Sequence, residues 1–349
     1  MSACRAEAAS AKADRHAAAP CAKAEIAVVI ATKGRLEGAA RAAVSVLGAG
    51  HPAVELCIVD QGAGPWPESI VRLADTPGVR VVKAPPHGLG AARNAGMRLT
   101  RAPLVLYTDD DCVVRPGALD ALAAAFAAEP RAGIVLGSVR APAYDRSAGF
   151  ITAYEVRRAH TVTGVSHQAR IGGIGACMAV RRSAFEALAG FDEAFGAGTA
   201  LAAGEDADFI VRALVAGFGV HETPAVAVTH YGFRPWRERA AAIEGYMRGH
   251  GAAHAKLLRL GRGRAIRPLA ALAWRWLARG PVADLNHVPP RLARLRAFLA
   301  GAWRGWWTPM DRATGCFLTV ESDPSRVPVA DDAAPRAPAV PQQLSTSLD

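Results

Sequence analysis

The 349-residue chain is 51% apolar and carries a formal net charge of +10, which suits one large α/β domain with a smaller appendage. The charge is concentrated, with 16 Lys and Arg against 4 Asp and Glu in residues 234–312, and such a block fits either a polyanionic partner or a solvated Arg-rich helical face. No 18 apolar residues run uninterrupted, no secretion signal is expected at the start, and six dispersed cysteines without a CxxC or Cys/His cluster fit a reduced, cytoplasmic setting.

Residues 1–23 are Ala-rich with scattered charges and read as a disordered tail. Residues 25–32 (EIAVVIAT) form a continuous apolar run typical of a strand buried on both faces, which Lys33-Gly34-Arg35 breaks. Residues 36–48 are predicted as a helix with Leu36, Ala40, Ala43 and Leu47 on one side. A strand at 54–60, a helix at 68–73, a strand at 79–82, a helix at 89–99 and a strand at 104–108 follow. This alternation predicts right-handed βαβ units and a mostly parallel sheet, in which ligands bind beyond the carboxyl ends of the strands. Those ends carry Thr32-Lys33, Asp60 and Asp109-Asp110-Asp111. A later strand-like run ends at His230, and residues 322–349, rich in Pro, Ala and Ser, read as a second disordered tail.

Three adjacent carboxylates repel one another, which makes Asp109–Asp111 the sharpest feature. In extended backbone Asp109 and Asp111 point to one side and Asp110 to the other. Two oxygens facing one spot suit Mg²⁺ or Mn²⁺ that also takes donor phosphate oxygens; the alternative is an acidic loop capping the helix that follows Pro116. A second cluster, Glu205-Asp206-Ala207-Asp208, opens a helical run, where the macrodipole favours carboxylates and where one of them can also serve as a general base. Gly88–Gly96 looks like a dinucleotide fingerprint, but Arg93 holds the third Gly position and the motif follows the third strand. Its glycines therefore read as the opening of a helix packed closely on the sheet. His230 becomes a ligand candidate if the chain returns it to Asp109 and Asp111.

In their order and spacing these residues resemble the family 2 inverting glycosyltransferases of GT-A fold, over roughly residues 24–235. The resemblance rests on Thr32–Arg35, Leu56–Asp60, Gly90–Gly96, Val105–Cys112, Gly172–Arg182, Gly190–Glu193, Gly204–Asp206 and Val228–His230. It implies transfer from a nucleotide-diphosphate sugar, UDP-sugar favoured, to a hydroxyl of a glycan, a lipid-linked or a small-molecule acceptor. It implies Asp109 and Asp111 as the outer positions of a DxD motif holding Mn²⁺ or Mg²⁺, with His230 completing the metal site. Thr32, Lys33, Arg35, Asp60, Arg93, Asp109 and Asp110 fall on the nucleotide and donor side. Asp206 is implied as the catalytic base with Glu205 orienting it, and Gly172, Gly173 and Cys177 line the acceptor side. Lys33 stands where Asn or Arg-Asn is common in the family, and Cys177 where the family often has Asn.

Two other readings compete. A nucleotidyltransferase would have a Gly-rich basic loop after the first strand, and Thr32-Lys33-Gly34-Arg35 is too short. A non-catalytic binding module would be expected to have lost one of Asp109, Asp111 and Asp206. Beyond His230 the resemblance fades, although Arg248–Gly251 is similar to a segment that approaches the diphosphate. Residues 236–321 read as a basic helical extension that holds six of the seven tryptophans, with apolar stripes over 266–279 and through Leu292, Leu295, Leu299, Trp303 and Trp306. Such helices fit an anionic membrane surface, at the inner face of the cell membrane, or fold back with Trp in the seam. No nucleic-acid partner is expected.

Overall fold

The structure is a computed structural model describing residues 25–51, 54–261 and 288–318, with isolated positions between 270 and 278. Both predicted tails and most of the 266–279 stripe lie outside the described residues.

The apolar runs form strands as expected: β1 (Ile26–Thr32), β2 (Val54–Asp60), β3 (Val79–Lys83) and β4 (Leu104–Asp109), with α1 (Leu36–Leu47), α2 (Glu68–Ala74) and α3 (Leu89–Leu99) between them. Then come β5 (Cys112–Val114), α4 (Ala118–Ala128), β6 (Ala132–Arg140), β7 (Gly149–Ile151), β8 (His160–Thr163), β9 (Cys177–Arg181), α5 (Arg182–Ala187), α6 (Glu205–Val215) and β10 (Gly219–His230). One sheet runs β3-β2-β1-β4-β9-β6-β10-β5, with β8 on β10. The strands β1, β2, β3, β4, β6 and β10 share one direction, while β9, β5 and β8 oppose it. The chain is thus an α/β protein with a central, mostly parallel sheet flanked by helices. Alternate residues of β1 feed two cores, Ile26, Val28 and Ile30 on one face and Ala27 and Val29 on the other.

Register places the site. Thr32 pairs with Asp60, Ala31 with Asp109 and Asp60 with Lys83, so the carboxyl ends of β1 to β4 finish level. Helix α1 buries Ala40 and Ala43 of its predicted stripe along with Ala39, Ala42 and Val46, whereas Leu47, at the end of the stripe, is 41% exposed. A Cβ on Gly38 would stand 2.6 Å from the Asp110 carbonyl oxygen, so the helix rides too low on the β4–β5 turn for large side chains beneath it. Gly96 of α3 likewise lies where any Cβ would overlap Val29, the close packing on the sheet that its glycines suggested.

After β10, β11 (Phe233–Pro235) pairs with β7, and α7 (Arg239–Arg259) leads to α8 (Arg291–Trp307). Helix α7 is fastened by Lys256, 1% exposed, whose Nζ donates to Asp192 Oδ2 at 2.6 Å and Asp208 Oδ1 at 2.7 Å. Arg212 pairs with Asp208 at 2.8 Å, the Phe317 N–H donates to Asp192 Oδ2, and the rings of Phe195 and Phe317 flank the ammonium. Burying such charges is tolerable because each is paired and hydrogen-bonded. Helices α7 and α8 meet through glycine: side chains at Gly251, Gly301 or Gly305 would overlap the backbone of the facing helix. The face that α8 buries is therefore Arg294, Ala297, Gly301 and Gly305, and Leu292, Leu295, Leu299, Trp303, Trp306 and Trp307 are exposed. The tryptophans of α8 therefore do not lie in the seam with α7, because the backbones approach most closely where side chains are absent; Trp276 lies outside the described residues.

Candidate active site

The turn between β4 and β5 divides the three aspartates as alternation suggested. Asp110 turns inward, where it accepts from Thr32 Oγ1 at 2.6 Å and Arg35 Nε at 3.1 Å. Burial pushes its carboxyl up to about 6 against the pull of Thr32 and Arg35. Thr32, Arg35 and Asp110, expected on the donor side, thus hold one another; Arg35 also reaches Asp111 at 2.8 Å. The helix after the turn is capped by Gly117 with no side-chain hydrogen bond, so the aspartates do not serve as its cap.

Asp109 and Asp111 converge with Cys112 and His230, their ligand atoms all within 4.8 Å of one another. His230 returns to them because β10 pairs antiparallel with β5, His230 opposite Cys112. Its Nδ1 lies 2.7 Å from the Thr152 carbonyl oxygen, which can only accept, so the Nδ1 proton is fixed there. Nε2 then faces Asp111 Oδ1 at 3.1 Å, and two lone pairs at that distance require a proton or a cation between them. Burial opposes charge on His230, but Asp111 outweighs it and raises the imidazole pKa. Gly232 leaves the space open, since a Cβ there would stand 2.5 Å from His230 Nε2 and 2.7 Å from Asp111 Oδ2. Two carboxylates and an imidazole with a fixed second nitrogen fit a divalent cation. The Cys112 thiol, raised by burial and by the neighbouring carboxylates, stays protonated and is the weakest donor of the four.

Glu205 and Asp206 begin α6. Asp206 Oδ2 accepts the backbone N–H of Gly175 at 2.9 Å, while its Oδ1 accepts that of Ala207. Glu205 is buried and meets Arg93 NH1 at 3.0 Å. Arg93 is 2% exposed, lies against the rings of Tyr107 and Phe191, donates to the Gly175 carbonyl, and stands 3.5 Å from Asp109 Oδ1. Expected as a donor contact, it sits beneath the site and joins the two acidic motifs. Burial and the adjacent Asp206 push Glu205 up to about 7 against the pull of Arg93. Asp208, on the far side of the helix, belongs to the Lys256 cluster.

At the end of β2, Asp60 is wholly buried and accepts from the Gly62 N–H, from Trp66 Nε1 at 3.0 Å and from Lys83 Nζ at 2.6 Å. Burial works against its charge, but these donors hold its pKa below the ordinary value. Lys33 is exposed at the rim. The N–H groups of Gly172 and Gly173 both donate to Glu222 Oε1. The structure does not bring Cys177 to an acceptor face: its thiol is fully buried in the core against Gly137.

Sequence reasoning missed Gly175, Trp66 and Lys83, and on α7 flagged only Arg248–Gly251, not Tyr246. Tyr246 and His250 lie within electrostatic reach of Asp206; burial and His254 lower His250 to about 4, Asp206 opposing, and burial raises Tyr246. The similarity of Arg248–Gly251 to a diphosphate-facing segment was the available signal for α7. For Gly175 there was only its place in a Gly-rich run.

Residues 27–189 match the protein family described as Glycosyl transferase family 2. No curated protein matches the chain. Among solved structures, S. aureus TarS 1–349 is 11% identical with a TM-score of 0.55, covering 80% of this chain and 81% of that one. Its complex with UDP is 14% identical with the same score, covering 75% and 73%. A mannosyltransferase, PcManGT from Pyrobaculum calidifontis, in complex with GDP-Man and Mn²⁺, is 18% identical with a TM-score of 0.52, covering 86% and 94%. These likenesses establish a shared GT-A fold.

Proposed function

The chain is a family 2 glycosyltransferase, and from that premise we propose that it transfers a sugar from a nucleotide-diphosphate sugar, UDP-sugar favoured, to an acceptor hydroxyl with inversion at the anomeric carbon. The observation that carries this reading is the guanidinium of Arg93, which reaches Glu205 at 3.0 Å and Asp109 at 3.5 Å and so sets the metal-ready end of β4 beside the start of α6. Asp109, Asp111 and His230 would hold Mn²⁺ or Mg²⁺, which when bound supplies positive charge to the departing diphosphate.

Asp206 takes the proton of the attacking hydroxyl. The Gly175 N–H fixes one of its oxygens, and the other turns only with the first turn of α6. Glu205, paired from below by Arg93, keeps that turn in place. Asp60 serves the nucleotide base, with Lys83 and Trp66 as the donors that a base edge would displace or share. The acceptor is a glycan, a lipid-linked sugar or a small molecule, entering from the Gly172–Gly175 side. Support for the donor class comes from TarS, whose structures hold UDP and UDP-GlcNAc, and from PcManGT with GDP-Man and Mn²⁺.

The test is thermal melting with UDP, GDP, dTDP and CDP, each with and without Mn²⁺. A ligand at 100 times its dissociation constant adds about 2.7 kcal/mol, readily seen as a melting shift. A metal-requiring shift with one nucleotide supports the reading and identifies the donor class; absence of a shift with all four removes it.

A further inference from the structure

The outer face of α8 is built to lie on a membrane. At 100° per residue, Leu295, Trp306, Leu299, Leu292 and Trp303 fall within an arc of about 80°, and Trp307 adjoins it. Trp303 is 69% and Trp307 65% exposed, and the glycine face that packs on α7 lies on the other side of the helix. A hydrophobic stripe opposite the packed face contributes nothing to the core and costs solubility in water. Exposed Arg291 and Arg296 border the stripe, with exposed Arg304 beyond it, and the 17 residues of the helix contain no Asp or Glu.

We propose that this face docks in the plane of an anionic bilayer, with the Leu and Trp side chains in the headgroup–acyl boundary and the arginines on lipid phosphates. Trp suits that depth because its ring is apolar and its N–H finds polar partners. Charge decides the occupant. A second copy of the helix would set Arg291, Arg296 and Arg304 against their own kind with no carboxylate to meet them, whereas an anionic surface satisfies all three. No helix among the described residues is long and apolar enough to span a membrane, so attachment through this face is interfacial. Helix α7, against which α8 packs, also carries Tyr246 and His250 toward Asp206, so one helix separates the docking face from the base.

The experiment is sedimentation of the full chain with vesicles of phosphatidylcholine alone and of phosphatidylcholine mixed with phosphatidylglycerol, with tryptophan emission read alongside. The chain is expected to bind the mixed vesicles, with a blue shift in emission, and to lose binding as salt rises. Trp303→Ala/Trp306→Ala/Trp307→Ala should weaken binding about tenfold or more, with the melting temperature and any nucleotide-induced melting shift unchanged, because these side chains are exposed. Arg291→Gln/Arg296→Gln/Arg304→Gln should lower binding to mixed vesicles alone. Three outcomes would overturn the proposal: no binding to mixed vesicles, equal binding by the tryptophan variant, or a dimer in light scattering that the tryptophan variant abolishes without vesicle binding. Vesicle binding requires no sugar transfer, so its failure is distinct from failure of the transferase reading.

Discussion

Arg93 and Glu205 pair at 3.0 Å although 112 positions of chain separate them, and both are buried. Each offsets part of the other's burial, although at Glu205 burial and the neighbouring Asp206 outweigh the pull of Arg93. The pair also has a second contact, Arg93 with Asp109, so it couples the strand end that would hold a cation to the helix start that would hold the base.

Arg93→Met should destabilise the fold by about 3–5 kcal/mol, because it leaves Glu205 and Asp109 without their shared cation in a dry site. Urea unfolding curves measure this. A change below about 1 kcal/mol would mean that the pair behaves as a solvated one.

Glu205 gives the fold a pH dependence with a definite sign. Its carboxyl is pushed up to about 7 from about 4.3 in an unfolded chain, so the folded form binds the extra proton between those values. Its contribution is fully present below the unfolded pKa and is lost as pH rises towards 7. Glu205→Gln should flatten that slope in unfolding free energies measured from pH 5 to 8; a slope identical to the parent's would refute the assignment.

Asp206→Asn removes the proposed base while keeping its size and its Gly175 hydrogen bond. Transfer should fall by about 10²- to 10⁴-fold with donor affinity unchanged. Turnover at the parent rate, measured with any donor that the melting screen identifies, would remove Asp206 from its role.

Asp109→Ala should abolish metal-dependent nucleotide binding. His230→Ala should weaken Mn²⁺ binding, and calorimetric titration distinguishes the two. His230 must give up any proton on Nε2 to ligate, so Mn²⁺ affinity in the parent should fall as pH drops, more steeply than in His230→Ala. Equal pH dependence in both would leave His230 outside the coordination sphere.

The first half of the sheet was legible because continuous apolar runs bounded by glycine and charge have few other solutions. The division of labour within Asp109–Asp111 was legible from alternation alone. Placement that depends on distant register was reachable only through the family resemblance. It named His230 as a ligand candidate, but His230 reaches Asp111 because β10 returns antiparallel beside β5, and no local pattern announces that. The resemblance put Arg93 on the donor side, and nothing local announced its pairing with Glu205, a buried carboxylate far along the chain. The stripe on α8 was visible as periodicity, which reveals that a helix has an apolar side without revealing what that side meets. Gly251, Gly301 and Gly305 decided the matter, since two helix backbones come closest where no side chain stands.

The position of Lys256 bears on how such a chain can diverge. From a helix after β11, its ammonium pairs with Asp192 and Asp208, which precede β10. A descendant that exchanged everything after β11 for another segment would keep Asp208 paired with Arg212 but would leave Asp192 buried without its cation. It would have to bring a replacement cation to that spot or lose the acid at position 192. Exchange of that segment would therefore have to be matched in the sheet-bearing part of the chain, and joint change at positions 192 and 256 is the trace such history would leave.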